Sequence, residues 1–189
     1  MSGETGQVAI SVEVNTRPCI EAARGVLESA GYSVSTYARG GGYAIEDDIR
    51  GGHFQGVLDL VLTDLLMGIS WRVTAAGILG VPQVLAPGGM DCDRFGKPMT
   101  PEALDRVGKD LAEKACAASG PTRILLPMKG VSLDSHVGMN EAVTTLFESL
   151  RNWVYPPELI VEVDLHFADV EFGRFAAREL LTLMHRPVS

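Results

Sequence analysis

The sequence predicts an α/β protein: one Rossmann- or flavodoxin-like domain whose mostly parallel sheet has about six strands flanked by helices. Short β-rich runs alternate six times with amphipathic helical stretches. The third run, 57–62, is almost wholly apolar, as expected for a strand covered by helices on both faces. The length of 189 residues suits one full-sized domain and is short for two. We therefore expect a single α/β domain over 1–189.

The first half of the chain contains three of the predicted strands. These strands are predicted at 7–12, 33–37 and 57–62. The first helix begins near Pro18, because proline lacks an N–H and the first helical turn leaves that group unbonded anyway. It ends before Gly31, a typical residue after a helix C-terminus. A short helix is expected at 44–50, and a weaker helical pattern follows the third strand and continues to about Leu79.

The second half repeats the alternation with clearer patterns. Strands are predicted at 83–86, 122–126 and 159–163, and helices at 101–118, 141–153 and 170–184. The helix at 101–118 has the strongest pattern, because Leu104, Val107 and Leu111 recur on one face.

Composition and charge exclude several classes of protein. Acidic residues outnumber basic ones 24 to 16, so a general nucleic-acid binder would be repelled by the phosphate backbone. No apolar run approaches the ~20 residues of a membrane span. The start at 1–4 lacks the basic and apolar regions of a signal peptide. Cys19, Cys92 and Cys116 are widely spaced, without the motif of a disulfide scaffold or zinc site. We expect a cytoplasmic protein with no nucleic-acid or membrane partner.

The candidate binding residues follow the predicted strands. Parallel sheets bind ligands beyond the carboxyl ends of their strands, where loops lead into helix N-termini. A small anionic ligand is therefore expected at this edge. The candidates are Thr16, Arg17, Gly40, Gly41, Gly42, Asp59, Thr63, Gly88, Asp91, Lys129, Gly130 and Ser132.

Two of these loops have the residue types of a phosphate site. Lys129, Gly130 and Ser132 combine a cation, a flexible backbone and a hydroxyl before a helix, where the helix dipole also favours an anion. The alternative is a surface lysine beside a turn. The glycines at 40–42 either form an ordinary turn or let a phosphate approach closely. The sequence has neither GxGxxG after the first strand nor GxxxxGK[ST].

Carboxylates and imidazoles define a further set of candidates. Asp59 lies inside a buried strand, so it is either hydrogen-bonded to a loop or part of a site. His136, His166 and Asp164 are candidate acid–base residues, and with Asp134 they could ligate a divalent cation. The alternative is that all four make capping and loop hydrogen bonds. No tight motif such as HExxH is present, so no metal is expected.

Five segments in order resemble one family. They are 56–60 (GVLDL), 80–84 (GVPQV), 87–91 (PGGMD), 126–132 (LPMKGVS) and 164–166 (DLH). Together they resemble the Tm-one-like ATP-binding family, named for the ATP-binding inhibitory region of a plant tobamovirus-resistance protein. The resemblance covers nearly the whole chain and matches the second half of that region. It implies nucleotide binding, with ATP or another nucleotide as the ligand, in a cleft between two halves.

The chain also departs from the pattern of that family. Nothing corresponds to the first half, and the segment from Phe95 to Pro101 is shortened, as is the loop after Ser132. The family's His-x-Asn-Asp is His166-Phe167-Ala168-Asp169 here. Absence of the companion half predicts uncovered apolar surface near Met67, Ile69 and Trp71. We expect a homo-oligomer or a partner chain that carries the missing half.

Three functions remain open from the sequence. The first is a binding module for a nucleotide or another phosphorylated, anionic small molecule. The second is an enzyme on a small carboxylate or phosphate, using the histidines and nearby carboxylates for acid–base or metal chemistry. The third is a non-catalytic subunit that complements a separate chain. Fold alone does not choose between them.

Overall fold

The computed structural model describes residues 6–13, 17–38 and 41–185. Its strands are β1 Gln7–Val12, β2 Ser33–Ala38, β3 Gly56–Val61, β4 Gln83–Gly88, β5 Thr122–Pro127 and β6 Ile160–Val163. Its helices are α1 Arg17–Ser29, α2 Gly42–Arg50, α3 Ala75–Leu79, α4 Pro101–Cys116, α5 Glu141–Trp153 and α6 Val170–Met184. Short 3₁₀ helices occupy Thr63–Met67 and Pro157–Leu159.

The strands form one sheet in the order β2-β1-β3-β4-β5-β6, and every neighbouring pair is parallel. This confirms the predicted Rossmann-like α/β fold. The chain steps outward from β1 to β2 and then returns to β3 on the other side of β1. The two loops that follow β1 and β3 therefore diverge, which leaves a crevice between them at the carboxyl edge.

Helices cover both faces of the sheet. On one face α1 and α6 pack together over Val8, Ile10 and Leu58. On the other face α4 and α5 pack over Leu85 and Ile124, while α2 and α3 cover the end of the sheet near β1 and β3. Side chains alternate along each strand, so Asp59 points toward the face that carries α2 and α3. No helix in the described part of the chain combines the length and apolar content that a membrane crossing requires.

The predicted boundaries of β1, α5 and α6 are confirmed. The largest difference follows β3, where the weak helical pattern predicted to Leu79 is interrupted. The 3₁₀ helix ends at Gly68, whose φ is +70°, and α3 begins only at Ala75. β4 also continues past its predicted end at Ala86, because a shift of register lets Gly88 pair with Val61.

Candidate functional site

A crevice opens at the carboxyl edge, with an inner part beside the ends of β1, β2 and β3 and an outer part between the segments that follow β3 and β4. Its inner part has a volume of about 10 Å³, room for one water molecule, and its outer part is a cleft of about 540 Å³. Thr63 and Asp64 line both parts, which we together call the edge crevice. Other lining residues include Ser11, Tyr37, Gly42 and Arg72 in the inner part, and Met67, Asp93, Arg94 and Phe95 in the outer part.

A buried group of charges forms the floor of the inner part. Arg72 donates to both carboxylate oxygens of Asp59, with Nη1–Oδ2 at 2.5 Å and Nη2–Oδ1 at 2.8 Å. Arg72 Nη1 also lies 3.3 Å from Glu46 Oε1, and Nε lies 3.4 Å from Asp64 Oδ2. We call these four residues the Arg72 cluster. Each is at most 6% exposed, so the cluster is a buried ion network.

The cluster keeps its guanidinium charged. Burial acts to lower the pKa of Arg72, but attraction and hydrogen bonds from Asp59, together with the charges of Glu46 and Asp64, outweigh it and raise that pKa. For Asp59 the structure favours hydrogen bonding by a loop residue, because Arg72 lies between the 3₁₀ helix and α3. Sequence reasoning missed Arg72 and Glu46. The available signal was the carboxylate in a buried strand, which requires a cationic partner.

Glu46 connects the cluster to the backbone before α3. Its carboxylate accepts the N–H groups of Val73 at 2.6 Å and Ala75 at 2.8 Å. Val73 has a φ of +62°, which is strained for a β-branched residue. The two hydrogen bonds hold the chain in this conformation, which in turn directs Arg72 into the protein.

The glycine loop approaches the same charges. A Cβ on Gly42 would lie 2.4 Å from Asp64 Oδ2 and 3.1 Å from Arg72 Nε. A Cβ on Gly41 would lie 2.8 Å from the Ala38 carbonyl oxygen. Both glycines are therefore required by contacts within the protein. Gly40 and Thr16 lie outside the described residues, as does the side chain of Arg17, so their predicted role in binding a phosphate stays a prediction.

The loop after β5 makes internal contacts at the predicted phosphate cradle. Lys129 Nζ donates to the Asp164 carbonyl oxygen at 2.9 Å and lies 3.3 Å from Asp164 Oδ2. The Lys129 and Gly130 amides donate to the carbonyls of Leu165 and Pro127. Ser132 Oγ accepts the Asp134 N–H at 3.1 Å. A phosphate would have to displace these partners, so the cradle stays a prediction without geometric support.

The predicted histidines have different surroundings. His166 is buried, and its Nδ1 accepts the Ala168 N–H at 3.1 Å, so Nε2 carries the proton and donates to the Val137 carbonyl at 3.0 Å. Gly130 packs against this ring with a φ of +141°, and a Cβ there would lie 2.7 Å from His166 Cδ2. His136 is exposed, and its N–H donates to Asp134 Oδ1. These contacts are those of capping and loop positions.

Asp164 is exposed and pairs with Lys129. Within 6–13, 17–38 and 41–185, no three His, Cys, Asp or Glu side chains are arranged to hold a metal ion. The structure thus does not assemble Asp134, His136, Asp164 and His166 into a metal site.

The remaining candidates lie after β4. A Cβ on Gly88 would lie 2.1 Å from Phe167 Cζ and 2.4 Å from the Leu60 carbonyl oxygen, so this glycine makes room for a core ring. Asp91 is buried next to the segment that lines the outer cleft, and its carbonyl accepts the Met99 N–H. The structure therefore brings Gly42, Asp59 and Thr63 together at the edge crevice, and it leaves Lys129, Gly130 and Ser132 in a separate loop region.

The fold and the crevice define a class: a parallel six-stranded α/β domain with a ligand-sized opening at the carboxyl edge of its sheet. The family model described as "Uncharacterised protein family (UPF0261) C-terminal domain" matches residues 6–103 and 98–184. The chain belongs to this family. The predicted resemblance is confirmed, since the matched relatives include both bacterial members and tomato Tm-1 proteins.

Three relatives show how much of this chain, and how much of each relative, is aligned. A UPF0261 protein of Clostridium tetani is 30% identical over 98% of this chain and 55% of its own length. The ToMV resistance protein Tm-1(GCR237) of Solanum lycopersicum is 34% identical over 84% of this chain and 26% of its own. A UPF0261 protein of Mesorhizobium japonicum is 28% identical over 90% of this chain and 52% of its own length. The chain spans about half the length of the bacterial relatives.

The comparisons also agree with the prediction that this chain has shorter loops than its relatives. The alignment with the Clostridium protein is 224 positions long against a chain of 189 residues, so that relative has insertions. The two segments that match the family model meet at 98–103, at the start of α4.

Proposed function

We propose that this chain is a small-molecule-binding domain that takes a phosphorylated ligand, a nucleotide foremost, in the edge crevice. The observation that carries the proposal is the strand order. It reverses between β1 and β3, and parallel α/β sheets bind ligands at that point. The outer cleft adjoins this point at Thr63 and Asp64 and extends toward the segment after β4. Its volume of about 540 Å³ is within the range of small-molecule sites.

Charge supports one orientation of the ligand. In the Arg72 cluster three carboxylates surround one guanidinium, so a phosphate would be repelled there. The N-terminus of α1 follows β1, and the dipole of a helix favours an anion at that end. No acidic residue lies in its first turn, and Thr16 and Arg17 precede or begin the helix. We place the phosphate there and the remainder of the ligand toward Asp64.

The family resemblance supports the choice of nucleotide. Its motifs are those of the Tm-one-like ATP-binding family, which makes ATP the first compound to test. The names of the tomato relatives refer to susceptibility and resistance to ToMV and name no ligand.

The crevice also supports a proposal about partners. Met67 and Phe95 line its outer part and are 52% and 79% exposed. Ile69 is half-buried, and Trp71 stacks on Tyr43. We propose that this rim contacts a second copy of the chain or a chain carrying the first half of the family architecture. Sedimentation of the purified chain tests self-association, and a monomer at high concentration would exclude the second copy.

Calorimetric titration with ATP, ADP and inorganic tripolyphosphate tests the binding function. A ligand at 100 times its Kd also raises the free energy of unfolding by about 2.7 kcal/mol, which a thermal shift detects. Arg17→Ala should weaken binding of all three compounds. Arg178→Ala, an exposed cation on α6, is the matched control and should bind as the wild type does. Failure of all three compounds to bind would contradict the proposal.

A further inference from the structure

The carboxylate of Asp64 lies at the crevice with unused acceptor capacity. Asp64 is 6% exposed and lines both the inner and the outer part. Among the described residues its contact is the ion pair with Arg72 Nε at 3.4 Å, and it accepts no hydrogen bond from them. A largely buried carboxylate gains much from donors, so a ligand in the crevice would find two acceptor oxygens there.

Neighbouring charge decides which ligand groups fit beside Asp64. Asp59 and Glu46 lie within hydrogen-bond distance of the same guanidinium, so the surroundings are already rich in carboxylate. Hydroxyl or N–H donors are favoured at such a position, and phosphate oxygens are not. The two oxygens of one carboxylate match the two adjacent hydroxyls of a cis-diol.

An aromatic pair follows and precedes, in the chain, two residues that line the inner part of the crevice. Tyr43 and Trp71 stack with their ring centroids 4.1 Å apart. Tyr43 follows Gly42 and Trp71 precedes Arg72, the two residues that approach Asp64. The Tyr43 residue is 67% exposed, so it offers surface for a planar group. A diol next to a planar ring is the chemistry of a ribonucleoside.

We propose that Asp64 accepts the ribose hydroxyls of a ribonucleotide bound in the edge crevice and that it selects ribose over sugars that lack this diol. The proposal rests on the proposed function, because it assumes that a nucleotide occupies the crevice. It adds the part of the ligand that is recognised and the residue that recognises it.

Titration of the wild type with ATP, 2′,3′-dideoxy-ATP and inorganic tripolyphosphate tests the proposal. We expect ATP to bind at least tenfold more tightly than the dideoxy compound, since a hydrogen bond to a charged group contributes this much or more. In Asp64→Asn the ratio of the two affinities should fall toward one. Asp47→Asn removes an exposed carboxylate of α2 and should keep the wild-type ratio.

Each outcome separates the two proposals. Equal affinity of the wild type for ATP and dideoxy-ATP overturns the role of Asp64 and leaves phosphate binding standing. Tripolyphosphate binding as tightly as ATP leads to the same conclusion. Absence of binding by all three compounds overturns both proposals.

The Asp64→Asn variant should fold, because Arg72 keeps its bonds to Asp59 and its contact with Glu46. If the variant does not fold, the ratio of the wild-type affinities for ATP and dideoxy-ATP still tests whether the ribose hydroxyls are recognised. In a Trp153→Phe background Trp71 is the remaining tryptophan, and its fluorescence should change on addition of ATP if the base lies on the aromatic pair. An unchanged emission with ATP bound would exclude that position for the base.

Discussion

Asp59 and Arg72 form a bidentate ion pair inside the protein. The Arg72 Nη1 and Nη2 atoms lie 2.5 and 2.8 Å from the two carboxylate oxygens of Asp59. The pair joins the middle of β3 to the loop before α3, and Glu46 extends it to α2. Three elements that meet at the edge crevice are thus held by one side chain. The same side chain lines the inner part of the crevice, together with Gly41 and Gly42.

Arg72→Met should lower the free energy of unfolding by about 3–5 kcal/mol, because it leaves buried carboxylates without their cation. Arg72→Lys should cost less but still destabilise, since an ammonium does not reproduce the two-pronged geometry. Urea denaturation of the three proteins measures both effects. A methionine variant as stable as the wild type would show that the carboxylates are protonated or solvated in the native state.

Gly42→Ala should destabilise the protein by about 1–3 kcal/mol, the usual cost of overpacking. Its new Cβ would lie 2.4 Å from Asp64 Oδ2, so the carboxylate or α2 must move. Gly25→Ala is the control: nothing lies within 4 Å of that Cβ in α1, and the change should stabilise the helix by about 0.5–1 kcal/mol. Equal effects of the two substitutions, measured by thermal unfolding, would contradict the described packing.

Burial, with the charge of Asp169 adding to it, raises the pKa of Cys19 from 9.0 to about 12. Above pH 9 the unfolded chain therefore releases a proton that the folded protein keeps. The free energy of unfolding has its full value below pH 9 and should fall as the pH rises from 9 toward 12. Urea denaturation at several pH values should show a flatter fall for Cys19→Ala. Cys116→Ala, at an exposed thiol, should keep the wild-type slope.

Lys129→Ala should leave the affinity for tripolyphosphate unchanged and cost little stability, because its pair with Asp164 is exposed. The Lys129 and Gly130 amides already donate to protein carbonyls. Calorimetry on the wild type and the variant measures the difference. A loss of about 1.5–3 kcal/mol in binding, the size expected for a bond to a charged group, would move the phosphate to the loop after β5.

The sequence predicted the fold because its signals are local. An apolar run such as 57–62, the helical spacing of Leu104, Val107 and Leu111, and Gly31 after α1 each constrain a few neighbouring residues. The segment 63–79 was harder to predict because its turns depend on Val73, whose positive φ is held by Glu46 from a different helix. No pattern within that segment encodes the contact.

The candidate site was likewise predictable from the sequence in its local features and not in its contacts between elements. The sequence determined that polar and glycine residues follow the strands, that Asp59 is buried and that all six carboxyl ends share one edge, because parallel order follows from strand–helix alternation. Only the tertiary structure decided that Arg72 reaches Asp59, that Gly42 makes room for Asp64 and that His166 is engaged on both nitrogens. Apart from the bond between Ala168 and His166, these contacts join residues 13 or more positions apart in the chain. Their partners are fixed by packing between elements, which local periodicity does not specify.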